Sequence, residues 1–141
     1  MRQTSFFVGR ILLGGYLLLG AFHHFSGLST MAGFAAAHGV PMPEAAVAIA
    51  GVFLAVAGLS FLLGLYPTVG VAALVIFLVP VTLTMHAFWA DRDSMMRQMD
   101  LINFSKNVGL LGAGLMFLAI PRPWAYSVEQ HMHLPIRARV V

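Results

Sequence analysis

The chain has 141 residues, 60% of them hydrophobic and only 9% charged, with a mean hydropathy of +0.87 and a formal net charge of +3. A water-soluble domain of this size keeps most of its residues at the surface, so this composition excludes one and points to a single domain, 1–141, embedded in a lipid bilayer. There is no cysteine, so the chain has no disulfide or thiolate of its own and any thiol redox chemistry needs sulfur from a partner. The positive charge is scattered over arginines rather than set in a stripe with aromatics, which argues against nucleic acid as a partner.

The first apolar run, 6–25, has about the 20 residues that a helix needs to cross roughly 30 Å of hydrocarbon. Arg10 stands where the apolar core of a signal peptide would begin, and the small residues Ala35, Ala36 and Ala37 come too late for cleavage, so an uncleaved transmembrane helix is expected. Arg10, Gly14, Leu17, Ala21 and His24 recur at helical spacing, which puts Arg10 and His24 on one face about 21 Å apart. A polar loop is expected over 26–44; Pro41, Pro43 and Glu44 suit the start of the next helix.

The second and third helices are expected over 45–66 and 69–88. Their junction, Gly64-Leu65-Tyr66-Pro67-Thr68, is short enough to make them antiparallel neighbours. Ala46, Ala50, Gly51, Gly58, Gly70, Ala72 and Ala73 would let them approach closely. Pro80 offers no amide to the carbonyl one turn earlier, so the third helix should kink. A second polar loop is expected over 89–99, then a fourth helix over 101–120, with Trp124 and Tyr126 as interfacial anchors ahead of a polar tail, 121–141. The expected fold is all-α: a polytopic membrane bundle of four transmembrane helices with a Pro-kinked third helix.

Four spans put both termini on one side. That side carries Arg2, Arg10, Arg122, Arg137 and Arg139, against Arg92, Arg97 and Lys106 on the other, which predicts cytoplasmic termini and an outer face that holds both loops and most histidines.

The fourth helix holds the most informative polar residues. Its unbroken apolar run, 108–120, extends only about 20 Å, so Asn103, Lys106 and Asn107 must lie within the membrane thickness, with Asp100 one turn earlier. Lys106 either snorkels to the headgroups or points into the bundle. Arg10 faces the same choice near the inner boundary. At the outer end His23, His24 and His86 are expected to converge on Lys106, and three histidines around one lysine make a better site than a lone interfacial histidine.

Several motifs together resemble the DoxX family of small bacterial membrane proteins: Gly9-Arg10-Ile11-Leu12-Leu13-Gly14, Gly39-Val40-Pro41, Leu63-Gly64-Leu65-Tyr66-Pro67-Thr68, Met85-His86-Ala87-Phe88-Trp89, and Phe104-Ser105-Lys106-Asn107-Val108-Gly109-Leu110-Leu111-Gly112. The similarity spans about residues 5–120. It implies a four-helix bundle in the bacterial inner membrane, related to the small subunit of thiosulfate:quinone oxidoreductase, working with a soluble redox protein or another membrane subunit and with room for a homo-oligomer. Arg10, His86, Trp89, Lys106 and Asn107 match the family pattern, whereas His23-His24 stands where many relatives are expected to have a lysine.

Three functions fit these residues. The first is a redox subunit that binds a quinone-like carrier. Lys106 and Asn107 would donate hydrogen bonds, His24 and His86 would shuttle protons, and Arg10, His23, Trp89 and Asn103 would complete the ligand site. His24, His86 and Lys106 are the candidate catalytic groups. No flavin, haem or iron–sulfur signature is present, so electrons must come from elsewhere and the chain is not a complete enzyme alone. The second is copper handling by His23, His24 and His86 with the thioethers of Met95, Met96 and Met99. The third is a structural anchor for a soluble enzyme, with Arg10 and Lys106 setting topology alone.

Overall fold

A computed structural model describes residues 2–132 of the chain. Lipid offers the backbone no hydrogen-bond partners, so long apolar runs satisfy themselves as helices. The elements are α1 (Arg2–Ser26), α2 (Leu28–Ala37), α3 (Pro43–Leu63), α4 (Pro67–Met85), α5 (Ser94–Met116) extended by a 3-10 turn (Phe117–Ala119), and the short α6 (Val128–His131), with no strand among the described residues. Four helices, α1, α3, α4 and α5 with its turn, are long and apolar enough to cross a membrane. Pro80 lies inside α4, where the Ile76 carbonyl lacks the amide it would otherwise meet.

Two connections differ from the loops expected. The segment after α1 folds into α2, which buries Ala32 and Ala35 and packs on α3. Ten mostly apolar residues are too few to span a bilayer, but enough to lay small side chains against a neighbour. In the second connection α5 begins at Ser94, because Asp93 caps it by accepting from the amides of Met95 (3.0 Å) and Met96 (2.9 Å).

The helices pack in sequence, α1 on α3, α3 on α4 and α4 on α5, while α1 and α5 share at most a weak contact. Gly14 sets the α1–α3 approach: a Cβ there would stand 2.9 Å from the Gly58 carbonyl oxygen and 3.0 Å from the Leu62 nitrogen. The core runs through Leu17 and Ala21, Leu54, Ala57 and Phe61, then Val71, Leu74 and Leu78.

The C-terminal segment closes one end of this row. Trp124 is not an interfacial anchor: it is 1% exposed, edge-on to Phe6 at 5.0 Å and Phe117 at 5.2 Å, and it fills the gap that α1 and α5 leave between them. Tyr126 stays exposed. Arg10, also 1% exposed, does not snorkel; its guanidinium donates to the Tyr126 carbonyl at 2.9 Å and the Ala125 carbonyl at 3.4 Å and faces the rings of Phe7 and Trp124. It also lies at the C-terminal, negative end of α3, where Gly64 has φ +63 and an added Cβ would strike Arg10 and Ser127. Arg122 pairs with the buried Glu129 through two hydrogen bonds, so both charges are satisfied within the segment. Arg137 and Arg139, which enter the orientation argument, lie outside the described residues.

Candidate functional site

At the opposite end the gap between α1 and α5 stays open and becomes a cavity of about 750 Å³, walled by α1, α2, α3, α4 and α5. Its walls are mostly apolar, including Leu17, Leu54, Phe53, Phe77 and Leu110, and Ile76 and Pro80 both line it. The broken hydrogen-bond ladder of α4 therefore borders the space. Eight side chains with polar groups also line it: Tyr16, His23 and His24 of α1, Thr84 of α4 and His86 at its end, and Asn103, Lys106 and Asn107 of α5.

The hydrogen bonds define what each can offer. His24 Nδ1 lies 2.8 Å from the Gly20 carbonyl; a carbonyl only accepts, so the proton sits on Nδ1 and Nε2 is free. The His24 ring stands edge-on to Phe77 at 5.8 Å. His86 Nδ1 lies 3.0 Å from Asp100 Oδ1, which again leaves Nε2 free and gives the imidazolium form a counter-charge. Lys106 donates to Asn103 Oδ1 at 2.9 Å and is exposed. Asn107 is 7% exposed and has no hydrogen bond to another described residue, so its amide is available to whatever enters the cavity.

The structure thus brings together His23, His24, His86, Asn103, Lys106 and Asn107, and leaves two expected site residues elsewhere. Arg10 is tied into the far end of the bundle. Trp89 stands edge-on to Phe88 at 5.1 Å and Phe104 at 5.8 Å outside the cavity. Asp100, which the sequence shows only as a polar residue one turn before Asn103, is the partner of His86. It was visible as a member of the α5 polar patch, but its partner is fourteen residues away across the α4–α5 turn. For the copper reading, Met95, Met96 and Met99 are exposed at the start of α5 and do not line the cavity, while Met31 and Met85 do. Among the described residues no three histidines or carboxylates converge as a metal site.

These features define a polytopic helical membrane protein with one large apolar cavity and a cluster of nitrogen donors at one end of it. The chain belongs to the DoxX family, whose family model matches residues 5–87. That match covers α1 to α4 and ends at the cavity histidine, so α5, with Asn103, Lys106 and Asn107, lies beyond it. No curated protein and no solved structure matches the chain.

Proposed function

We propose that this protein is a membrane subunit that binds a quinone-like, lipid-soluble carrier in the cavity and works with a soluble redox protein as electron donor or acceptor. The observation that carries the reading is the cavity itself: apolar walls with hydrogen-bonding groups gathered at one end are what a ring with carbonyl acceptors and an apolar body requires. A bound quinone supplies two-electron, two-proton chemistry. Lys106 and Asn107 donate hydrogen bonds to a carbonyl oxygen at the polar end. His24 and His86 exchange protons through their free Nε2 atoms, and Asp100 holds His86 in position. Asn107 is the most telling of these groups, since its side-chain amide borders the cavity with no partner in the protein and can donate to a ligand carbonyl.

Asn107→Leu should cut quinone retention and any quinone-linked turnover, whereas Met95, Met96 and Met99 all replaced by leucine should leave both intact. The reverse result, with bound copper lost from the triple variant, would replace this reading with metal handling. Full activity of Lys106→Met together with retained partner binding would leave the anchor role. We place the chain in the bacterial inner membrane with both termini cytoplasmic. Single cysteines at Ser29 and Ser94 should then react with an impermeant thiol reagent from outside, and one at Gln130 should not. Ser127 is unsuitable for that test because it is buried.

A further inference from the structure

We infer, building on the quinone-like reading, that the cavity takes a single-tailed carrier, with its headgroup held at the polar end and its tail leaving between α1 and α5 into the bilayer. Three boundaries lead there. The seam between α1 and α5 is shut at one end by Phe6, Phe117 and Trp124, whose rings lie 5.0–5.6 Å apart. The other end is roofed by α2, which is seated on α3 through its buried Ala32 and Ala35 and contributes Met31, Phe34 and Ala35 to the cavity lining. The α3 and α4 sides are closed by packing of α1 on α3, α3 on α4 and α4 on α5, whereas α1 and α5 share at most a weak contact. The remaining opening faces lipid.

The distribution of polarity sets which way the ligand points. Apart from Tyr16, the hydrogen-bonding side chains lie on the last turn of α1, at Thr84 and His86 and on the Asn103–Asn107 turn of α5, all at the roofed end. Leu17 on α1, and Ile76 ten residues before His86 on α4, mark the deeper, mostly apolar part, about 10–15 Å further toward the bilayer centre. Lys106 stands at the polar end, is exposed, and forms no ion pair with a described residue. Its ammonium has protons to spare for an acceptor headgroup. A space of about 750 Å³ suits a small ligand and leaves the rest of a long tail outside.

Gly20 offers a way to block the space. It lines the cavity, and a Cβ there would meet only Leu54 side-chain atoms, at 3.4 and 3.9 Å, so a larger side chain is admitted by the backbone and projects into the void. Gly15 has nothing within 4 Å of an added Cβ and is not part of the lining. The test uses the full chain in lipid vesicles and a decyl benzoquinone with a diazirine at the end of its tail, with cross-links mapped by mass spectrometry. Labelling that unlabelled decyl benzoquinone competes away should fall on α1 and α5, around Leu12, Leu19 and Leu110. It should drop roughly tenfold in Gly20→Phe, whose ring would occupy the ligand's space, and persist in Gly15→Phe. Leu110→Phe gives the same block from α5 should Gly20→Phe fail to fold.

Competable labelling on α2 or on the outer face of α3 would overturn the tail placement and leave the quinone reading standing. Competable seam labelling by a decanoate with the same diazirine tail, unaffected by the quinone, would keep the tail placement and remove the quinone reading. Absence of competable labelling by either probe would overturn the inference.

Discussion

The two ends of the bundle treat the same defect in opposite ways. In the row of helices α1 and α5 share at most a weak contact. At the Arg10 end the defect is filled by Phe6, Phe117 and Trp124, and the C-terminal segment is fastened over it by the Arg10 guanidinium. At the histidine end it is left as a cavity whose lining includes His23, His24, His86, Asn103, Lys106 and Asn107. Arg10 and Lys106 look alike as charges within apolar helices, yet one is a structural clasp with carbonyl partners and the other sits at an open site with a single asparagine contact. A charge in a membrane helix therefore takes its role from what closes around it.

If the closed end is structural, damage there should appear as lost stability. Trp124→Ala is expected to cost about 3–5 kcal/mol, the range for emptying a packed aromatic site, read by thermal unfolding in detergent. Arg10→Met comes next, at about 2–3 kcal/mol, because it removes charged hydrogen bonds to two carbonyls. The same variant should expose the segment from 121 onward to protease. An Arg10→Met protein as stable and as resistant as the parent would break the comparison.

Gly14→Ala should cost about 1–3 kcal/mol, since its Cβ would press on Gly58 and Leu62 backbone atoms that cannot yield. Its neighbour Gly15→Ala meets nothing within 4 Å and should be neutral or gain up to about 1 kcal/mol of helix propensity. The smallest expected effect on stability is that of Lys106→Met, within about 0.5 kcal/mol because the lysine is exposed, even though ligand retention is lost. A large loss of stability in that variant would make Lys106 a second clasp.

Much of this arrangement was legible in the chain. Arg10, Gly14, Leu17 and Ala21, a face read from spacing alone, are the buried residues of α1. The four spans could be read because bilayer crossing depends on local hydropathy summed over about 20 residues, and backbone satisfaction leaves only a helix. Counting helix ends put His23, His24, His86 and Lys106 at one end of the bundle, and all four line the same cavity. α2 was missed because ten apolar residues carry no signal that separates a buried short helix from a loop, and Trp124 because an aromatic after a span reads equally well as an interfacial anchor.

The sequence by itself determined that this is a four-span membrane protein with charges inside its helices, because hydropathy and periodicity are local and additive. Only the tertiary structure decided which charge is clasped and which is available. The Arg10 contact with Tyr126 joins residues 116 positions apart, and the His86–Asp100 pair crosses a turn. The cavity exists because two helix faces do not meet, and such a gap is a property of the packing that no segment of the chain encodes alone.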